Sequence, residues 1–199
     1  TVYTVSMAAY EAFLSELKKN GLDEKVEISA VAGFSLGEYS ALTAAGVIED
    51  IGEGVDIVAK RGVLMKEAGL DENGENKGAM VAGLGKREKI LEAVEQARED
   101  GILEGVNFNS PKQTVVAGDK EAIERFCKVA AENKIKAIPL SVSTAFHSPM
   151  MVPAAEKLKD VLMEVKLKKP EKTVYADLTA DDYMKDYDGG DLQAYLVDI

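Results

Sequence analysis

The sequence predicts a mixed α/β protein in which a small unit is inserted between the two halves of a larger one. An apolar strand pattern leads through a glycine-flanked turn into a helix pattern, which is a typical α/β connection. Further on, strand and helix patterns follow in the order β-α-β-β-α-β, the order of a ferredoxin-like unit. We expect the inserted unit to span 72–142, and the larger α/β unit to comprise 1–71 and 143–199.

Ahead of the insertion, the periodicity of apolar residues predicts three helices and one strand. The helices are expected over 1–20, 38–45 and 48–68, and the strand over 28–32. Gly21 and Gly46 follow two of these helices, as glycines commonly do, because glycine adopts the left-handed conformation at a helix end without a steric penalty. A polar, glycine-rich stretch at 69–77 indicates the boundary of the inserted unit.

The inserted unit and the chain after it show the same alternation of short patterns. Strands are expected over 78–84, 102–107, 113–117 and 136–142, and helices over 86–99 and 120–133. A loop at 143–149 then leads into a helix over 150–164, followed by a short strand over 173–176. The acidic stretch 181–199 shows no pattern that predicts a final helix or strand.

Composition excludes several classes of protein. The 35 Asp and Glu residues outnumber the 24 Lys and Arg residues, and the net charge of −11 argues against nucleic acid as a partner. No run of about 18 apolar residues predicts a membrane span. One cysteine, Cys127, excludes an internal disulfide, and its helical setting favours a buried apolar role. With a single histidine no usual zinc site can form, and we expect no metal or cofactor. The low cysteine content and the lack of a membrane-span pattern fit a cytoplasmic protein, and we expect a monomer.

Residues 33–37 carry the strongest local signal, Gly-Phe-Ser-Leu-Gly between a strand and a helix. This is the context of a nucleophile elbow, in which glycines permit a sharp turn and the serine lies beside the first amides of a helix. Ser35 is therefore a candidate nucleophile. The alternative is a serine that only caps the helix. A phosphate-binding loop is disfavoured because the Gly-Lys-Ser/Thr ending of that motif is absent.

His147, the only histidine, follows the inserted unit at the end of an apolar strand pattern. Histidine is the usual base for a serine nucleophile because its pKa lies near neutrality. The alternative is a loop histidine with a structural hydrogen bond.

Arg61 precedes Gly62 on a predicted helix and is a second candidate, against the alternative of a solvated helix arginine. These residues together indicate a serine acyl-transfer enzyme or a hydrolase.

Five stretches resemble, in order and spacing, the malonyl-CoA:acyl carrier protein transacylases and the related acyltransferase domains of fatty-acid and polyketide synthases. They are 33–42, 61–65, 107–113, 116–118 and 146–151. The resemblance implies an α/β-hydrolase-like fold for the larger unit, with the ferredoxin-like unit inserted before the catalytic histidine.

The resemblance also implies a ping-pong reaction of fatty-acid biosynthesis. Ser35 is expected to take a malonyl group from malonyl-CoA, with His147 as the base and the backbone N–H of Leu36 stabilising the oxyanion. The group then passes to the phosphopantetheine thiol of acyl carrier protein. Malonyl-CoA and acyl carrier protein are the partners that this reaction requires.

Further site residues are carried over from the same motifs. Arg61 is implied to bind the malonyl carboxylate, because a guanidinium grips a carboxylate with two parallel hydrogen bonds. Met65 and Phe146 are implied to line the acyl pocket, where an aromatic ring would occupy the space of an α-methyl group. Asn109 and Gln113 are expected to support the site from outside the reacting atoms.

Some features depart from the family pattern. Phe34 stands where the family often has histidine, and little catalytic effect is expected from it. Segments that in the family carry an oxyanion glutamine and orient the catalytic histidine have no counterpart here, so we expect an internal piece of the enzyme. Asp177, Asp181 and Asp182 are not expected to act as triad members.

Other functions remain open at this point. A polyketide acyltransferase with another acyl group, a plain serine hydrolase and an inactive binding module would each share these motifs. The lysines at 166, 168, 169 and 172 form a candidate docking patch for an acidic carrier protein, with a solvated charge run as the alternative.

Overall fold

The computed structural model describes residues 1–142, 144–186 and 196–197. The chain divides into two compact units, one of Thr1–Gly62 with Glu156–Ile199 and one of Val63–Ala155. The predicted insertion, 72–142, lies wholly inside the second unit, and its bounds as a subdomain stay a prediction. The expectation for 181–199 falls partly on residues 187–195 and 198–199, which lie outside the described residues.

Every predicted helix and strand is present, with ends displaced by a few residues. The helices are α1 Val2–Lys19, α2 Leu36–Ala44, α3 Ile51–Ala68, α4 Arg87–Arg98, α5 Lys120–Glu132, α6 Val152–Met163 and α7 Tyr183–Asp186. The strands are β1 Ala30–Ala32, β2 Gly78–Leu84, β3 Leu103–Ser110, β4 Gln113–Asp119, β5 Lys136–Pro139 and β6 Thr173–Tyr175. The short helix α7 was not expected, and a 3-10 turn at Pro149–Met151 replaces the predicted start of α6.

The first unit is built around a parallel pair of strands, β1 and β6, in which Ala30 lies opposite Thr173 and Ala32 opposite Tyr175. Because the strands are parallel, the segments that follow them leave from the same edge. Ser35 follows β1 and Asp177 follows β6, so this edge carries the site of the unit.

Helix α1 packs on α2 through a narrow face. Tyr3 and Met7 are buried, and the Tyr3 hydroxyl lies 2.8 Å from the Thr43 hydroxyl. Val5 and Phe13, which also belong to the apolar period of this helix, are exposed. The pattern therefore predicted the helix correctly, but it did not identify the residues that are buried.

The second unit contains a four-stranded antiparallel sheet in the order β3-β4-β2-β5. With two helices between the strands, this is the arrangement of a ferredoxin-like unit. Helices α4 and α5 cover one face, where Val81, Ile90 and Phe126 belong to one buried cluster. Cys127 is partly buried against this cluster, consistent with an apolar packing role.

The other face of the sheet holds the loop that carries the predicted base. Strand residues such as Met80 and Val115 form a cluster with Ala145 and Met150 on this face, because side chains alternate between the faces of a strand. Packing of this loop on the sheet explains why the second compact unit continues beyond residue 142, and Met65 and Ala68, which pack against the same cluster, extend it ahead of residue 72.

No helix in the described part of the chain has the length and apolar character needed to cross a membrane.

Candidate active site

Ser35 lies at a sharp turn between β1 and α2, in the conformation φ 49° and ψ −113°. A non-glycine residue with positive φ costs on the order of 1–3 kcal/mol and is characteristic of functional sites. The N–H groups of Gly37 and Glu38 donate to the carbonyls of Phe34 and Ser35, both at 2.9 Å. This hydrogen bonding closes the elbow that the motif predicted.

Gly33 is required by the close approach of the chain to itself. A Cβ at this position would lie 2.0 Å from the Gly37 carbonyl oxygen and 2.4 Å from the Glu38 nitrogen. A Cβ on Gly37, by contrast, would meet no atom within 4 Å. The turn therefore requires a glycine at position 33 but has room for a side chain at position 37. The sequence pattern did not distinguish these two positions.

Arg61 reaches the serine from α3. Its Nη2 donates to Ser35 Oγ at 3.4 Å, and its guanidinium carbon lies 5.4 Å from the centroid of the Tyr39 ring. The side chain is only 8% exposed. The alternative of a solvated helix arginine is therefore wrong. The cation–π contact and the hydrogen bond aim a fixed positive charge at the serine hydroxyl.

Tyr39 anchors this arginine. The residue is fully buried, and its hydroxyl donates to the Leu196 carbonyl at 2.7 Å. Burial raises the pKa of Tyr39 to about 12, while the positive charge of Arg61 opposes the rise. The phenol therefore stays neutral at ordinary pH and offers a ring face to the guanidinium.

Two acidic residues that the sequence analysis did not place in the site contact the elbow. The Ser35 N–H donates to Asp177 Oδ2 at 2.8 Å, and the Asp177 N–H donates to Glu38 Oε1 at 3.1 Å. Glu38 is fully buried, and among the described residues its Oε2 has no hydrogen-bond partner. Burial raises the pKa of Glu38 to about 7; the Asp177 N–H opposes this rise and the Asp177 carboxylate adds to it.

Leu36 is the first residue of α2. The N–H of a first helical residue has no acceptor within its own helix. The position next to Ser35 therefore provides a backbone donor at the positive end of a helix dipole.

His147 belongs to the second unit, in the turn that follows Ala145. It has a positive φ of 61° and is half-buried. The Ser148 hydroxyl donates to the Ala145 carbonyl at 2.7 Å and accepts from the Met150 N–H at 3.3 Å, which holds the turn. Gly78, the first residue of β2, allows this turn to lie close to the strand, since a Cβ on Gly78 would lie 2.6 Å from the Ala145 nitrogen.

The remaining predicted residues also lie in the second unit. Met65 and Phe146 pack against the same cluster on the sheet, so the structure brings these two side chains to one face. Asn109 Nδ2 donates to Gln113 Oε1 at 3.5 Å across the β3–β4 hairpin. The roles of these four residues in a reaction stay predictions.

Comparison of this sequence with known proteins gives the same family that the motifs resemble. Residues 2–194 match the family described as acyl transferase domain. A malonyl CoA-acyl carrier protein transacylase of Haemophilus influenzae is 40% identical over 171 residues, covering 84% of this chain and 52% of the relative. The chain spans about half the length of the curated relatives it matches.

Solved structures agree with this result. A malonyl CoA-acyl carrier protein transacylase from Clostridium perfringens superposes with a TM-score of 0.84 at 36% identity, covering 98% of this chain and 57% of that chain. A type II polyketide-synthase acyl-carrier protein in complex with its malonyl-transacylase gives 0.75 at 38% identity, covering 87% of this chain and 54% of that one. The resemblance inferred from the five motifs is thus confirmed, and the chain belongs to the acyl transferase domain family.

Proposed function

We propose that this protein transfers a malonyl group from malonyl-CoA to the phosphopantetheine thiol of an acyl carrier protein through an ester on Ser35. The observation that carries the proposal is the 3.4 Å distance between Arg61 Nη2 and Ser35 Oγ. A guanidinium so close to the nucleophile suits an acyl group that ends in a carboxylate, because the two planar groups form paired hydrogen bonds. Relatives named as malonyl transacylases support the choice of substrate.

The proposed chemistry has two symmetrical halves. His147 removes the proton of Ser35 Oγ as the oxygen attacks the thioester carbonyl, and the Leu36 N–H stabilises the resulting oxyanion. The carbon–sulfur bond then breaks, and CoA leaves as a thiol with the proton from His147. The carrier-protein thiol next gives its proton to His147 as its sulfur attacks the ester carbonyl. The bond from the acyl carbon to Oγ then breaks, and His147 returns the proton to Ser35 Oγ.

We assign the reaction to fatty-acid biosynthesis; a polyketide pathway is the second candidate, because one similar structure contains a polyketide-synthase carrier protein. A plain hydrolase is a further alternative, and it would release the free acid to water with no need for a thiol acceptor. The cytoplasmic location and the monomeric state stay predictions.

Mass spectrometry of the intact chain tests the proposal. Incubation with malonyl-CoA is expected to add one malonyl group, which peptide mapping locates on Ser35 and which Ser35→Ala abolishes. Addition of a thiol-bearing carrier protein is expected to remove the group and appear as malonyl-carrier protein. Absence of the adduct on folded protein, or release of free malonate without a thiol acceptor, would overturn the proposal.

A further inference from the structure

Two carboxyl groups behind the serine elbow take no part in the proposed chemistry. Asp177 lies two residues beyond the end of β6, and Glu38 lies in the first turn of α2. The parallel pairing of Ala32 with Tyr175 places the chain after β6 beside the chain after β1. The carboxylate of Asp177 thereby reaches the backbone of Ser35.

Three hydrogen bonds connect these residues in a closed ring. Ser35 donates its N–H to Asp177 Oδ2 at 2.8 Å, and Asp177 donates its N–H to Glu38 Oε1 at 3.1 Å. Glu38 in turn donates its N–H to the Ser35 carbonyl at 2.9 Å. Each residue of the ring is therefore fixed by the other two.

The ring surrounds a residue in a strained conformation. Ser35 has a φ of 49° and a ψ of −113°, which a non-glycine residue holds only when its surroundings enforce it. The hydrogen bond from the Ser35 N–H to Asp177 Oδ2 restrains this conformation, because it fixes the direction of the N–H. This bond acts directly on the backbone of Ser35 from outside the elbow.

We propose that Asp177, held in place by Glu38, is the positioning residue of the nucleophile. It keeps the Ser35 backbone in the conformation that presents Oγ to the side chain of Arg61. The inference concerns Ser35 as the nucleophile and in that respect rests on the proposed function. Asp177 contacts no reacting atom, so its loss should lower the rate of Ser35 acylation and leave the KM for malonyl-CoA unchanged.

The charge of Asp177 has an effect separate from the role of its oxygen as a hydrogen-bond acceptor. A carboxylate near the serine disfavours the negative charge that develops on the oxyanion, whereas its oxygen is useful as an acceptor. Asp177→Asn keeps an acceptor oxygen and removes the charge. We therefore expect this variant to acylate at least as fast as the unaltered protein, and Asp177→Ala to acylate at least tenfold more slowly.

The experiment compares Asp177→Ala and Asp177→Asn with the control Asp181→Ala. Asp181 is an exposed aspartate of the same segment whose carboxylate bonds to Lys185 at 2.8 Å and not to the elbow. Hydrogen–deuterium exchange over 34–38, the rate of Ser35 labelling by a fluorophosphonate and the rate of malonylation are measured for each. The Asp177 side chain is exposed, so these variants should fold, which thermal unfolding checks.

The expected result is faster exchange and slower labelling for Asp177→Ala only, with both restored in Asp177→Asn. Equal exchange and equal labelling in Asp177→Ala and Asp181→Ala would overturn the proposal, as would failure of the asparagine to restore them. If fluorophosphonate labelling follows the expected order but malonyl-CoA leaves no adduct, the positioning role stands and the proposed substrate is wrong.

Discussion

The backbone N–H of Ser35 and the carboxylate of Asp177 form a 2.8 Å hydrogen bond across 142 positions of sequence. The parallel pairing of β1 with β6 creates this contact, because it brings the loops after both strands to one edge. The elbow is therefore hydrogen-bonded to a residue far outside its motif.

The two motif glycines should respond differently to alanine. Gly33→Ala places a Cβ 2.0 Å from a backbone oxygen, so we expect a loss of about 2–4 kcal/mol in the free energy of unfolding together with the loss of Ser35 labelling. Gly37→Ala, the matched control, enters open space within α2 and should be neutral or stabilising by up to about 1 kcal/mol. Urea unfolding measures both, and equal effects would contradict the geometry described for the elbow.

Arg61→Ala should change acyl selectivity. Removing one partner of a buried ion pair costs about 3 kcal/mol, which corresponds to roughly a 100-fold slower malonylation. Acetylation, in which the acyl group carries no carboxylate, should fall far less. The measurement is the rate of Ser35 labelling by malonyl-CoA and by acetyl-CoA. Lys60→Ala, an exposed neighbour on α3, is the control, and an equal loss for both substrates would argue against carboxylate binding.

The buried Glu38 should make stability decline as pH rises. Its pKa is raised from 4.5 to about 7 in the folded protein, so between these values the unfolded chain releases the proton first. Stability from this group is complete below about pH 4.5 and is lost as pH rises through 7. Glu38→Gln cannot ionise, and its melting temperature relative to the unaltered protein should increase from pH 5 to pH 8.

Glu49→Gln provides a control of opposite sign for this pH dependence. The hydrogen bond and charge of Lys168 lower the pKa of the exposed Glu49, so its small contribution is present at neutral pH and is lost in acid. If the melting temperatures of Glu38→Gln and the unaltered protein change in parallel with pH, Glu38 does not titrate as described.

The lysine patch makes a prediction about the carrier protein. Lys166 and Lys169 are exposed, whereas Lys168 pairs with Glu49 at 2.6 Å. Changing Lys166 and Lys169 together to glutamate should weaken transfer to an acidic carrier protein severalfold at low salt and leave self-malonylation unchanged. Reversal of Lys89 and Lys128, exposed on α4 and α5, controls for net charge. Unaltered transfer would favour a solvated charge run.

The sequence by itself determined the local elements and their order. Strand and helix periodicities depend on neighbouring residues, so the four strands and two helices of the sheet unit were predicted with ends within about three residues of those observed. The elbow at 33–37 was predicted for the same reason, because its glycines and flanking patterns are contiguous. Motif spacing then identified the family.

Only the tertiary structure decided which side chains share a site. Asp177 and Glu38 were missed because no local pattern encodes a contact made by strand pairing, although the parallel arrangement of β1 and β6 would have pointed to it. The helix pattern by itself could not distinguish Arg61 from a solvated arginine, whereas its burial against Tyr39 does. Burial and partner choice arise from long-range packing, whereas periodicity and turn chemistry are local properties of the chain.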